Sequence, residues 1–265
     1  MTAIETINIE KPALNKKEAE FEKSKENKIL TNIKNGAKFQ DIMDRQGKID
    51  DAFRKLTILA CMDERVSVNI GGQEQGKIGI AGSLCLASED DIDKFIKKYK
   101  GEIEIVTSHD DCGAAGMAFE DDAQNRYFVA RLAEKLNAEY RHIEKKEMKG
   151  EIHNARAIVV DDTGMFNPSK LDEMPEHYTL SAAGFGFSAD YIKKEIEAAL
   201  KIAFGGHGFG GLLTEEDPIY IFICVKEGEN REERAEELEK IAEEASGQYG
   251  RKVEIKSFFH KIDKN

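Results

Sequence analysis

The sequence predicts an α/β fold in which a mostly parallel sheet carries helices on both faces. Five short runs are rich in apolar and β-branched residues, and the middle runs are apolar continuously, as in strands that are covered on both faces. Helical patterns separate these runs, and that alternation is typical of α/β proteins. The 265 residues are 40% hydrophobic, which is enough for a substantial core.

The predicted elements begin with an N-terminal helical arm, residues 1–50, and continue in an α/β domain, residues 51–265. The arm is charged, and its apolar residues between 29 and 43 fit one helical stripe only roughly. We expect it to pack either on its own domain or on a second copy as a dimerisation element. The predicted strands cover residues 56–60, 103–107, 157–160, 219–225 and 253–259.

Four helices are predicted between these strands from their caps and apolar spacing. Residues 139–155 interrupt the alternation and are predicted to form an excursion or a hairpin. We find no internal repeat in the sequence. The helix signals are Ser88 before the first helix, Gly113 to about Leu136 for the second, Ser188 before residues 191–203 for the third, and Asn230 with Glu233 as a capping box for the fourth, which ends near Gly247.

Charge and hydropathy exclude several classes of function. The net charge of −12 disfavours binding to nucleic acid or anionic lipid, because no basic tract offsets it. The longest apolar run, residues 219–225, is too short to cross a membrane, and the amino terminus lacks the apolar core of a signal peptide. Four cysteines are too few for a disulfide scaffold. We therefore expect a cytoplasmic protein whose partners are small molecules or copies of itself.

Two segments carry the residues suited to chemistry, and each follows a predicted strand directly. They read Cys-Met-Asp-Glu-Arg from Cys61 and His-Asp-Asp-Cys-Gly from His109. Because ligands gather at the carboxyl ends of neighbouring parallel strands, the two segments can converge. Two thiolates and an imidazole suit zinc, so Cys61, His109 and Cys112 are the predicted Zn²⁺ ligands. Asp63 shares a face with Cys61 in extended backbone, and Arg65 is its predicted charge partner.

The two segments resemble the signature of the beta-class carbonic anhydrases, Cys-x-Asp-x-Arg after the first core strand and His-x-x-Cys-Gly after a later one. The resemblance covers about residues 56–116. It implies a beta-carbonic-anhydrase-like fold, zinc on the two cysteines and the histidine, and Asp63 with Arg65 as the catalytic dyad. The implied reaction is reversible hydration of carbon dioxide to bicarbonate by a zinc-bound hydroxide. The implied assembly is a homodimer or a higher even homo-oligomer, with the arm laid on the partner.

Charge also argues for the roles of Asp63 and Arg65. Two thiolates neutralise the zinc ion, so its water is acidified less than at an all-histidine site. Asp63 is expected to accept a hydrogen bond from that water, while Arg65 keeps the carboxylate ionised and turned from the metal. If the ion pair between Arg65 and Asp63 breaks, Asp63 can become the fourth zinc ligand, displace the water and close the site. Both the open and the closed state are compatible with the sequence.

Several residues depart from the family pattern. Glu64 and Asp110 add negative charge beside the ligands, and we expect both to face solvent because intervening residues point away. The Arg-Asn pair that usually precedes the small-residue turn at Ala81-Gly82 is replaced by Gly79-Ile80.

Other residues lie outside the family motifs. The glycine-rich segments 184–186 and 205–211 are interpreted as loops over the site. His207 is interpreted as a loop histidine, with proton shuttling as the alternative, and His153 as a surface or structural residue.

Two further functions remain open at the level of sequence. The same site could hydrolyse carbon disulfide or carbonyl sulfide, since loops and subunit interfaces set substrate access. Alternatively, the protein is a catalytically silent zinc-binding homologue in which Asp63 permanently occupies the fourth ligand position.

Overall fold

The computed structural model describes residues 15–45, 56–70 and 72–260 and confirms the predicted α/β class. Within this part of the chain, two four-stranded sheets have parallel pairing throughout, and helices flank them. A short antiparallel hairpin joins two further strands. The strands are β1 Ile58–Ala60, β2 Val68–Ile70, β3 Gln73–Gln75, β4 Ile78–Gly79, β5 Ile105–His109, β6 Glu139–Ile143, β7 Ala157–Asp161, β8 His177–Leu180, β9 Ile219–Lys226 and β10 Val253–His260.

The α-helices begin mostly at side chains that cap their first turn. The Ser88 hydroxyl accepts a hydrogen bond from the backbone N–H of Asp91, and the Ser188 hydroxyl accepts one from Tyr191. Both starts match the sequence prediction. The helices are α1 Lys16–Ser24, α2 Lys28–Lys34, α3 Phe39–Arg45, α4 Glu89–Tyr99, α5 Asp122–Leu136, α6 Ala189–Phe204 and α7 Arg231–Ser246.

One predicted helix start is wrong, and two other predictions differ from the structure. The second long helix begins at Asp122 rather than at Gly113, because the Asp121 side chain supplies the cap that glycine lacks. The segment predicted as an excursion contains β6, which pairs in parallel with β5. The predicted capping box at Asn230 does not form, since that side chain makes no capping hydrogen bond.

The two four-stranded sheets meet edge to edge at β4 and β8. The Ser181 N–H donates to the Gly79 carbonyl at 2.7 Å, and the Gly79 N–H donates to Ser181 Oγ at 3.2 Å. The Thr179 N–H also donates to the Met62 carbonyl at 3.1 Å. These bonds align the carboxyl ends of the first sheet's strands with the edge of the second sheet.

The two sheets form an internal repeat that the sequence did not reveal. In the first sheet the strand order is β4-β1-β5-β6, and in the second it is β8-β7-β9-β10. When the strands of each half are numbered along the chain, the second strand lies at one edge of its sheet. The first, third and fourth strands follow it in that order. A helix connects the second strand to the third and another connects the third to the fourth in both halves. We call residues 57–143 the first half and residues 157–260 the second half.

The described part of the arm packs on the second half of its own chain. The ring of Phe39 stacks on Phe222 with centroids 4.2 Å apart. The Gln40 side chain accepts a hydrogen bond from the Phe259 N–H at 2.8 Å and donates to the Phe259 carbonyl at 3.2 Å. The boundary predicted between residues 50 and 51 lies outside the described residues, and a role of the arm in dimerisation stays a prediction.

The core lies on the central strands. Burial is complete for β1, β5 and β7 and almost complete for β9, which explains their continuous apolar sequences.

Among the residues that the structure describes, no helix has the length and apolarity needed to span a membrane.

Gly79→Ala is expected to destabilise the protein through the junction between the sheets. A Cβ atom at this position would lie 2.3 Å from the backbone oxygen of Thr179, so we expect the free energy of unfolding to fall by about 3 kcal/mol. Urea unfolding measures this, and Gly228→Ala is the control, because a Cβ atom there meets nothing within 4 Å. Equal stability of the two variants would contradict the proposed tight contact at the junction.

His177 is expected to make the fold sensitive to acid. Its Nδ1–H donates to the Pro175 carbonyl at 2.7 Å, and burial lowers the pKa of His177 to about 4. Because the unfolded histidine takes up a proton near pH 6.5, stability falls as the pH falls from about 6.5 to about 4, by up to about 3 kcal/mol. Urea unfolding of the wild type and of His177→Asn at about pH 7 and about pH 4 should show the steeper loss in the wild type. Parallel losses would be evidence against this assignment.

Candidate metal centre

The carboxyl ends of two adjacent strands place the three predicted ligands. β1 and β5 pair in parallel, with Ile58 opposite Ile105. Cys61 directly follows β1, His109 is the last residue of β5, and Cys112 lies in the turn that follows. The structure therefore brings together the two segments from the sequence, at the edge of the sheet where ligands gather.

The ligand atoms of these residues form a compact buried group. Cys61 Sγ and Cys112 Sγ are 3.7 Å apart, and the sulfur and imidazole nitrogen atoms of the trio all lie within 4.8 Å of one another. Cys61, His109 and Cys112 are each less than 5% exposed. All four cysteines of the chain are free thiols.

This group fits a metal ion in two respects. Two bonds from one metal to sulfur, each about 2.3 Å long and at a tetrahedral angle, separate the sulfurs by about 3.8 Å, close to the observed distance. The His109 Nδ1–H donates to the Asp110 carbonyl at 2.8 Å, which leaves a lone pair on Nε2. That buried nitrogen has no hydrogen-bond partner among the described residues. A ring held by one nitrogen with the other free is typical of a metal-ligating histidine.

The thiols interact strongly with each other and with the histidine. The hydrogen bond to Cys112 lowers the pKa of Cys61 against the opposing effect of burial, and the charge of His109 lowers it further. The same bond and burial raise the pKa of Cys112. Burial lowers the pKa of His109, but the nearby charge of Cys61 acts in the opposite direction, and the pKa of His109 is raised overall. The group therefore holds negative charge on sulfur, which a cation would stabilise.

Backbone N–H groups support both sulfurs. The Gly82 N–H donates to Cys61 Sγ at 3.4 Å, and the Ala115 N–H donates to Cys112 Sγ at the same distance. Gly82 belongs to a turn after β4 in which three successive residues, Gly82, Ser83 and Leu84, have positive φ angles of 51°, 53° and 79°. Such donors favour thiolate over thiol.

Asp63 lies beside the ligands and is held by Arg65. Arg65 Nη2 donates to Asp63 Oδ2 at 2.8 Å and Nε donates to Oδ1 at 3.1 Å. Oδ2 is also 3.9 Å from His109 Nε2. Burial would raise the pKa of Asp63, but the bond to Arg65 and the nearby histidine charges lower it overall. The carboxylate is therefore ionised, buried and pinned by two parallel hydrogen bonds.

Glu64 is buried, and the expectation that it faces solvent is wrong. Its side chain is 2% exposed, and both carboxylate oxygens lie 3.1 Å from His153 Nδ1. The Asn154 N–H donates to it at 3.0 Å. The chain turns at Glu64 and Arg65, so the strand alternation on which the expectation rested has already ended.

His153 is a site residue that the sequence analysis missed. Its Nδ1 is 3.7 Å from Asp63 Oδ1, and Asp63, Glu64 and His153 form a second group with the spacing of metal ligands. Burial lowers the pKa of His153, but Glu64 raises it overall. With Arg65, which donates hydrogen bonds to Asp63, the group consists of two hydrogen-bonded pairs of opposite charge, Arg65 with Asp63 and His153 with Glu64. No sequence motif marks His153, since its partner Glu64 is 89 residues away.

Asp110, the other residue expected to face solvent, is only partly exposed. Its carboxylate accepts hydrogen bonds from Arg126 at 2.6 Å and from the Lys145 N–H at 2.9 Å, and it lies 3.0 Å from His142 Nε2. These partners tie the turn between His109 and Cys112 to β6.

A cleft of about 600 Å³ opens beside the ligands. Arg65, Cys112 and His153 line it together with residues of the second half, among them Ile202 and His207. The interpretation of residues 205–211 as a loop over the site therefore agrees with the structure. Gly184 instead packs against Gly164, within the second half.

Comparisons of the chain with protein-family models, curated proteins and solved structures found no match.

The protein is expected to bind one divalent metal ion per chain through the buried trio. Cys61→Ala should reduce the metal content to near zero, because it removes one of three ligands. Elemental analysis after dialysis measures this. Cys224→Ala is the matched control, since Cys224 is equally buried but lies on β9 in the second half. Equal metal content in the two variants would exclude Cys61 as a ligand.

Proposed function

We propose that the protein is a zinc-dependent carbonic anhydrase that interconverts carbon dioxide and bicarbonate. The observation that carries the proposal is an ionised carboxylate, Asp63, held by Arg65 beside a buried Cys-His-Cys trio. The beta-carbonic-anhydrase-like fold implied by the motifs is part of this proposal. It is supported by the position of both motifs at the ends of adjacent parallel strands.

Zinc is the metal that we assign to Cys61, His109 and Cys112. Thiolate and imidazole ligands suit a borderline soft ion, and a site with three protein ligands leaves one position for a small molecule. When bound, zinc would supply Lewis acidity that lowers the pKa of a water molecule. The two thiolates offset the ion's charge, so residues outside the trio must contribute to the reaction.

Asp63 would orient a water molecule bound there. Its Oδ2 atom lies 3.9 Å from His109 Nε2, and an ionised carboxylate accepts a hydrogen bond without donating one. By accepting one hydrogen bond, Asp63 would hold the water so that an oxygen lone pair faces the carbon of carbon dioxide. Because Asp63 is already ionised, it can act in this way at neutral pH.

Arg65 keeps Asp63 in this role. Its guanidinium occupies both carboxylate oxygens of Asp63, and its backbone N–H also donates to Oδ1 at 2.9 Å. This arrangement supports the open state over the one in which Asp63 is itself a ligand. It therefore favours an active enzyme over the catalytically silent alternative.

The side chains that line the cleft suit a small anionic product. Its lining beside Cys112 holds more basic than acidic side chains, and this excess favours an anion such as bicarbonate. The basic residues include Arg65, Lys145, Lys201 and His207, and the acidic ones are Asp111 and Glu151. Carbon disulfide and carbonyl sulfide would use the same residues, and their hydrolysis stays a prediction. The cytoplasmic location and the homo-oligomer expected from the sequence also stay predictions.

Carbon dioxide hydration measured by stopped flow from about pH 7 to about pH 9 tests the proposal. Asp63→Asn should keep its zinc and lose about 100-fold in kcat/KM, because the amide cannot replace an acceptor-only carboxylate. Asp162→Asn is the matched control, since Asp162 pairs with Arg234 at 2.8 Å in the second half. It should retain full activity.

Three outcomes would contradict the proposal. A wild-type protein with one zinc per chain and no hydration across this pH range would exclude carbonic anhydrase activity. Hydrolysis of carbonyl sulfide or carbon disulfide by that protein would select the sulfur-analogue alternative. Unchanged turnover in Asp63→Asn would remove Asp63 from the mechanism.

A further inference from the structure

We propose that Glu195, in the second half of the chain, is a positioning residue for the metal centre in the first half. Its carboxyl group holds the turn at Ala81 and Gly82, which donates a hydrogen bond to Cys61. The proposal rests on the metal centre of the proposed function and is independent of the reaction catalysed there.

The contact crosses the junction between the two halves. Glu195 lies on α6 and is fully buried. Its Oε1 accepts a hydrogen bond from the Ala81 N–H at 2.7 Å. The next N–H along the chain, that of Gly82, donates to Cys61 Sγ. The N–H that Glu195 holds and the N–H that supports the sulfur therefore belong to consecutive residues.

The turn needs such an external contact. Ser83 and Leu84 have positive φ angles, a conformation that is unfavourable for residues with a side chain. On one side of the turn, Ser83 Oγ donates to the Thr107 carbonyl at 2.7 Å. On the other side, the bond to Glu195 ties Ala81 to α6. The two bonds together hold a strained backbone segment in the position that serves Cys61.

Burial of a carboxyl group at this place is costly, so packing alone does not account for it. Desolvation raises the pKa of Glu195 to about 8. The nearby Tyr191 hydroxyl and Ala182 N–H offset this only in part, and Oε2 has no hydrogen bond of full geometry in the part of the chain that the structure describes. An apolar residue of similar volume would avoid the cost of desolvation. It would also lose the bond to the Ala81 N–H.

The internal repeat supplies a comparison within the same molecule. Ser88 caps α4 and Ser188 caps α6, and the residues seven positions later are Phe95 and Glu195. Phe95 reaches the second half, where its ring lies 5.7 Å from that of Phe185, in the turn after β8. The same helix position thus contacts the opposite turn in both directions. Phe95 makes an apolar contact with the turn of the second half, which has no ligand trio. Glu195 makes a polar contact with the turn of the first half, which supports Cys61.

The second sulfur does not depend on the second half in this way. Cys112 Sγ receives its hydrogen bond from Ala115, three residues further along the same turn. Only the hydrogen bond to Cys61 depends on a turn that the other half holds. Loss of the Glu195 bond should therefore weaken metal binding through Cys61 while leaving Cys112 supported.

Three variants separate positioning from general stability. Glu195→Leu removes the acceptor at similar volume, Glu195→Gln keeps an acceptor oxygen, and Ile196→Val is the control. Ile196 is the next residue on α6, is as deeply buried as Glu195, and carries no polar atom in its side chain. Zinc affinity is measured by competition with a chromophoric chelator. The sulfur-to-metal charge-transfer absorption of the cobalt(II)-substituted protein reports on the ligands directly.

We expect Glu195→Leu to bind zinc about tenfold more weakly, with an altered charge-transfer band, and Glu195→Gln to stay within about threefold of the wild type. Ile196→Val should match the wild type in both measurements. If Glu195→Leu does not fold, Glu195→Met is measured in its place with the same expectation.

Two results would overturn the proposal. One is wild-type zinc affinity and an unchanged cobalt band in the apolar variant. The other is a loss in Glu195→Gln as large as that in Glu195→Leu, since the acceptor would then not be the relevant group. A wild-type protein that binds zinc and does not hydrate carbon dioxide would overturn the proposed function alone, because the comparison of variants uses metal binding.

Discussion

The edge contact between β4 and β8 determines how the rest of the molecule is arranged. Both strands are short, and the bonds between Gly79 and Ser181 leave no room for a side chain at Gly79. This close approach places α6 against the turn that follows β4, and it places Ile202 against the backbone of Gly113. The second half therefore forms one wall of a site whose ligands all belong to the first. Without this contact, the cleft beside Cys112 would be open on that side.

The buried charges near the ligands are arranged so that each has a partner. Arg65 neutralises Asp63, His153 lies against Glu64, and Lys77 Nζ donates to the Asp63 carbonyl at 2.5 Å and to the Val66 carbonyl at 3.0 Å. Burial alone would raise the pKa of each acid and lower that of each base, and burial does lower the pKa of Lys77. Direct pairing reverses this effect for Asp63. The site thus keeps an ionised carboxylate in a region that excludes most solvent.

Local sequence predicted the parts of the structure that depend on near neighbours. The continuous apolar runs predicted β7 and β9 to within one residue, and the serines before α4 and α6 predicted two helix starts. The trio could also be predicted, although 51 residues separate Cys61 from Cys112, because adjacent parallel strands end at the same edge. Contacts that follow no such rule could not be predicted. Glu64 and His153 are 89 residues apart, and Ala81 and Glu195 are 114 residues apart. The repeat is visible only in the strand order, because the two halves differ in the residues at their strand ends.

The pairing of Gln40 with the backbone of Phe259 limits how the protein can associate. β10 is the outer strand of the second sheet, and an outer strand ordinarily offers free N–H and C=O groups to another chain. At Phe259 one amide side chain occupies both groups. A strand from elsewhere would have to break these two bonds and displace α3 before it could add to this side. The arm thus protects the protein against growth of the sheet into an aggregate at that edge.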